Sequence, residues 1–89
     1  MFNIEDGYLV KPNYSCTQPG DLMNSTNLKD AKQECEDNAA CYMFYDVCGK
    51  GNTFNLCKGT QVAIPSECGS ILYAKGNVNA ILLFKTSPI

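Results

Sequence analysis

Eighty-nine residues with a formal net charge of −2, seven lysines, no arginine and no histidine describe one small domain without the guanidinium forks or basic stripe of a nucleic-acid binder. A chain this short buries too little of its unfolded surface to be held by core packing alone, so staples are expected, and six cysteines can supply them. Its apolar runs, residues 71–74 and 80–84 among them, fall far short of the ~20 residues that cross a bilayer, which argues against membrane insertion.

Met1 is followed by Phe2, Asn3, Ile4, Glu5 and Asp6, with neither a positive start nor an apolar h-region, so the sequence reads either as a cytosolic protein or as a mature domain. Residues 7–10, GYLV, form a short apolar run bounded by Pro12 and Asn13 and read as a first strand. From 13 to 27 the chain is rich in Asn, Ser, Thr, Pro and Gly, which is loop. Two glycosylation acceptor triplets lie in it, Asn13-Tyr14-Ser15 and Asn24-Ser25-Thr26.

Asn27 is placed to cap a helix whose first turn carries Asp30, with Ser25 or Thr26 as alternative caps. Leu28, Ala31, Cys35 and Ala39 recur at spacings of three and four and share a core face, while Lys29, Lys32, Gln33, Glu36 and Asp37 face water. Asp37 and Asn38 end the helix. Residues 41–47, CYMFYDV, have the aromatic richness of a strand, with Met43, Tyr45 and Val47 on one face and Tyr42, Phe44 and Asp46 on the other. The GKGN of residues 49–52 then supplies a turn, and residues 53–57 return as a second strand. After a loop around Pro65, residues 70–75 form a strand that sets Ile71 and Tyr73 opposite Leu72 and Ala74. GNVN at 76–79 turns it into residues 80–85, AILLFK, a final strand or an adhesive exposed segment. With no internal repeat, the expected class is α+β over residues 1–89: a single domain with one α-helix packed on a small antiparallel β-sheet.

The cysteines stand at 16, 35, 41, 48, 57 and 68, and no two are separated by only two residues, so the paired-thiolate spacing of zinc ribbons and redox sites is missing. The lack of histidine removes two-cysteine, two-histidine zinc sites and every cysteine–histidine or serine–histidine nucleophile. A four-cysteine zinc site stays formally open, but disulfides fit better, since an even cysteine number in a short, turn-rich chain suits a secreted framework. Asp30, Glu34, Glu36 and Asp37 read as a solvated helix face, with Asp46 and Glu67 in loops, so neither an enzyme nor a cofactor is expected.

The helix LKDAKQEC, the aromatic strand CYMFYDVC, the following FNLCKG, the closing ILYAK and the opening GYLVKPNYSC together resemble the PAN/apple family, over about residues 7–75. The remainder, 76–89, would be an extra terminal strand. The resemblance implies a helix tied to the central sheet by nested bridges, Cys35 to Cys57 outside and Cys41 to Cys48 inside, with Cys16 to Cys68 joining the two ends. An inner bridge needs a bend near Asp46, because seven residues of straight strand hold two Cα atoms more than ~20 Å apart and a disulfide needs roughly 4.4–6.8 Å. The resemblance also implies a non-catalytic extracellular module that binds protein or carbohydrate, secreted or within a larger protein. It transfers no fixed functional residue.

Tyrosines and turn amides are the natural contact groups, which singles out Tyr14, Tyr45, Asp46, Lys50 and Asn52. The plainer alternative places Tyr45 in the core and leaves the others as solvated turn. A second function class is a stand-alone secreted effector, a protease inhibitor or toxin-like ligand, acting through the loop between Cys57 and Cys68 that Pro65 stiffens.

Overall fold

Period-two alternation in four apolar segments builds the centre of the molecule, and each segment presents one set of side chains to a helix and the other to a small β-ribbon. The computed structural model describes residues 3–5, 7–16, 19–57 and 63–75. Along the chain these form β1 (Asn3–Glu5), β2 (Tyr8–Pro12), β3 (Tyr14–Cys16), β4 (Pro19–Leu22), α1 (Leu28–Glu36), β5 (Met43–Asp46), a 3-10 turn (Val47–Gly49), β6 (Phe54–Cys57), β7 (Ala63–Pro65) and β8 (Ile71–Lys75). The expected strand at 80–85 and its preceding turn lie outside the described residues.

The main sheet runs β1-β2-β8-β5-β6-β4 with every pairing antiparallel, and β3 pairs with β7 as a separate ribbon. Val10 lies opposite Tyr73 and Tyr73 opposite Phe44, while Leu9 meets Ala74 and Ala74 meets Met43. This register sorts the core into two sides. Tyr8, Val10, Phe44, Phe54 and Tyr73 pack with Ala31, Cys35, Cys41 and Met23 on the helix side; Leu9, Met43, Tyr45, Cys57, Leu72 and Ala74 pack with Cys16 and Ala63 on the ribbon side. The expected α+β class holds, with one α-helix among the described residues. The sheet is wider than expected, and the ribbon adds a third layer.

Helix α1 begins where Asn27 sits extended and its Oδ1 accepts the Asp30 N–H at 2.9 Å, leaving Ser25 and Thr26 as no part of that cap. Ala31 and Cys35 are fully buried, and Leu28 packs beside them. Ala39, expected on the same face, is exposed: the helix stops at Glu36, and the chain turns through the Cys41 N–H to Asn38 O bond. That reversal brings Cys41 beneath the helix.

All six cysteines are paired, as Cys35–Cys41, Cys16–Cys57 and Cys48–Cys68, so the pairing the family resemblance implied is corrected at every bridge. Cys35 and Cys57 cannot meet because the sheet lies between them, Cys35 on the helix side and Cys57, opposite Met43, on the ribbon side. Cys41 and Cys48 stay apart because Met43–Asp46 between them is extended strand. The chain does bend after Asp46, but the bend delivers Cys48 to Cys68. Cys16 instead fastens the ribbon to β6.

Cys48 and Gly49 both adopt positive φ, 55° and 67°, which glycine tolerates and other residues resist. A Cβ on Gly49 would sit 2.8 Å from the backbone oxygen of Gly69. Gly49→Ala is therefore expected to destabilise the domain by about 1–3 kcal/mol through backbone strain and this clash, read as a lower urea midpoint.

Candidate functional site

Tyr8 points from β2 towards the helix and is almost fully buried. Its hydroxyl donates to Glu36 Oε2 at 2.7 Å and lies 3.0 Å from the carbonyl oxygen of Lys32. Burial, and then the hydrogen bond to and the charge of Glu36, push the Tyr8 hydroxyl far above its ordinary value of 10.0. It is therefore a fixed donor, not a base. The Lys32 ammonium lies over both the Tyr8 and Tyr73 rings, 5.8 and 5.7 Å from their centroids.

Around these groups lies an open cleft of about 300 Å³, lined by Tyr8, Leu28, Lys29, Lys32, Gln33 and Glu36. Helical spacing aligns Lys29, Lys32, Gln33 and Glu36 along one stripe of α1. The lining offers ammonium donors, an amide that both donates and accepts, a carboxylate acceptor, and apolar surface from Leu28 and Tyr8. Such a mixture suits a polar ligand with some apolar area. Periodicity places these helix residues in solvent; Glu36 is exposed, while Lys32 is half-buried. The part of Tyr8 was missed; its place beside Leu9 and Val10 marks a strand residue but not the partner above it.

The sequence-derived contact residues fall elsewhere. Tyr45 is core on the ribbon side, its hydroxyl accepting from Asn55 Nδ2 at 3.1 Å. Asp46 is buried and its Oδ1 accepts the Gly51 N–H at 2.9 Å, which shapes the β5–β6 connection. Lys50 and Asn52 are exposed in that connection, where Asn52 Oδ1 accepts from the Thr53 hydroxyl. Tyr14 is half-buried in β3, with the buried Lys11 ammonium 4.1 Å from its ring centroid. Of the five, only Lys50 and Asn52 are presented together on the surface. Asn13 and Asn24 of the two acceptor triplets are both exposed. Asn13 makes the corner between β2 and β3 at φ 67°, and its carbonyl accepts the Ser66 N–H.

Glu34 holds the segment that leads into α1. Its carboxylate accepts from the Ser25 hydroxyl at 2.7 Å and from the N–H groups of Ser25 and Asn24. The Ser25 hydroxyl is the main cause that lowers its pKa from 4.5; burial acts in the opposite sense and the two N–H groups add to the lowering. A depressed folded-state value contributes stability that is complete above about 4.5 and is lost as the pH falls through the folded value. Ser25→Ala is expected to cost about 1 kcal/mol at neutral pH, with the gap from the parent narrowing in urea melts below that window.

Among the described residues, no helix is long and apolar enough to cross a membrane. Comparison with models of known protein families, with curated proteins and with solved structures finds no match in any of the three.

Proposed function

We propose that this chain is a non-catalytic recognition domain, secreted or part of an extracellular protein, with an apple-like layout, and that it binds protein or carbohydrate at the cleft between β2 and α1. The cleft's mixed lining carries the reading: ammonium, amide and carboxylate groups along one helix stripe, the carboxylate held in place by the Tyr8 hydroxyl, and an apolar wall. Preorganisation supports it further, since a domain cross-linked by three disulfides loses little freedom on binding. Three disulfides in so short a chain suit an oxidising compartment. The apple-like reading rests on element order, a helix followed by the central antiparallel strands, while the bridge set is this chain's own.

A glycan array and a panel of extracellular ectodomains, both probed with the oxidised protein, test the reading. A ligand is expected whose affinity drops roughly tenfold in each of Lys29→Ala and Gln33→Ala, the size of one lost charged or well-placed hydrogen bond. Binding that ignores both substitutions places the site elsewhere, and no binding on either platform contradicts the recognition role.

A further inference from the structure

We propose that the Cys48–Cys68 bridge is a redox-labile clasp, opened by a dithiol reductant while the other two bridges stay closed, and that it controls the turn presenting Lys50 and Asn52. The inference goes beyond the recognition reading and does not depend on which ligand the cleft takes.

Access separates the bridges. Cys35, Cys41 and Cys57 are fully buried and Cys16 is 3 % exposed, so an external thiolate reaches neither of their bridges without opening the core. Cys48 is half-buried and Cys68 is exposed. Backbone conformation adds a second distinction, since Cys48 holds the left-handed region at φ 55° in a turn that Gly49 continues at 67°. Breaking the bridge lets that residue relax.

The chemistry around Cys68 is also particular. The hydroxyl oxygens of Ser66 and Ser70 each lie 3.8 Å from its Sγ. Ser66 Oγ accepts the N–H groups of Cys68 and Ser70, and Ser70 Oγ accepts the Cys48 N–H at 2.9 Å. With their oxygens engaged as acceptors, both hydroxyl protons are available to a sulfur that gains charge.

The exchange takes two steps. A thiolate of the dithiol attacks Cys68 Sγ, forming a mixed disulfide and breaking the Cys48–Cys68 bond; Cys48 leaves as a thiolate and takes a proton from water. The second thiolate of the dithiol attacks the reductant's own sulfur in that mixed disulfide, closing a cyclic disulfide, and Cys68 leaves as a thiolate beside the two serine hydroxyls. The protein bridge is reduced by two electrons and the dithiol is oxidised by two. What remains of the β5–β6 connection is held by the Val47 N–H to Thr53 O and Gly51 N–H to Asp46 bonds and, towards the segment before β8, by the Cys48 N–H to Ser70 Oγ bond in place of the covalent link.

Dithiothreitol added to the folded protein without denaturant, with iodoacetamide trapping over time and peptide mass mapping, tests the clasp. Cys48 and Cys68 are expected to be alkylated as a pair on the order of tenfold sooner than the other four, in line with the dependence of exchange on access. In the partly reduced protein, deuterium uptake is expected to rise in residues 47–53 and 66–70 but not in β2, β5 or β8. Simultaneous alkylation of all six cysteines, or a different pair first, overturns the selective opening, and unchanged uptake in the turn overturns its control.

Discussion

Replacing Cys16 and Cys57 together by alanine is expected to cost about 4 kcal/mol, the largest effect of removing any one bridge. The two cysteines are separated by 41 positions, against 20 for Cys48–Cys68 and 6 for Cys35–Cys41. On the chain-entropy account the closures correspond to about 4, 3.3 and 2.4 kcal/mol taken singly. Because Cys48 lies inside the 16–57 span and Cys68 outside it, the two loops interlock and their contributions do not add. Against a net stability of about 5–15 kcal/mol for a domain, the loss is severe. Its structural signature is specific as well, since this bridge ties the β3–β7 ribbon to β6 on the face away from the helix. Urea melts report the midpoint, and hydrogen exchange should show the amides of Tyr14–Cys16 losing protection before those of β5 and β8. An unchanged midpoint would mean that the ribbon needs no tether.

Phe44→Ala carries the second large expectation, a loss of about 3–5 kcal/mol. Phe44 is fully buried on β5, and its ring meets three others: Tyr8 edge-on at 5.7 Å, Phe54 edge-on at 6.1 Å and Tyr73 stacked at 5.2 Å between centroids. Truncation removes apolar area and leaves a cavity between the sheet and α1 that two strands and a bridged helix cannot readily close. It also withdraws a support from Tyr8, so the Tyr8–Glu36 contact that orders the cleft should loosen in step. Leu22→Ala is the matched comparison. Leu22 is 67 % exposed on the edge strand β4, and its truncation should stay within about 0.5 kcal/mol of the parent in the same melts.

Local patterns were legible where side-chain period and caps act over a few residues. The Asn27 cap, one of three candidates, follows from residue type, and the Ala31 and Cys35 face, Met43 and Tyr45 against Phe44, and the alternation of residues 71–74 follow from spacing; Ala39 and Tyr42 depart from it, Ala39 exposed and Tyr42 packed with Met43 and Tyr45. Non-local pairings were not. Residues 14–16 and 63–65 are three-residue strands, one closed by Pro65, and each finds its partner only across the molecule, so nothing local marks them as a ribbon. β4 was hidden in the same way, within a stretch of Pro, Gly and Asp that pairs irregularly with β6.

The bridge pairing turns on strand parity. With Phe54 on the helix side, Cys57 three residues later must face away, so a cysteine on the helix could not reach it. That step was open to sequence reading, provided the face of Phe54 was known. For the candidate site, the stripe from Lys29 to Glu36 was visible as a polar helix face. Its meeting with Tyr8 was not, because it depends on how α1 lies across β2. Asp46 looked like a contact group for the reason that it shapes a turn: a carboxylate accepts a backbone N–H as readily as a ligand's.

The three-layer arrangement, helix over sheet over ribbon, is tested most directly by mapping the disulfides: peptide mass analysis of unreduced protein, digested at acidic pH to suppress exchange. The expected result is peptides joined as Cys16–Cys57, Cys35–Cys41 and Cys48–Cys68. Peptides joined as Cys35–Cys57, Cys41–Cys48 and Cys16–Cys68, or free thiols, would contradict it, because the first of those links would run through the sheet and the second along the extended strand β5.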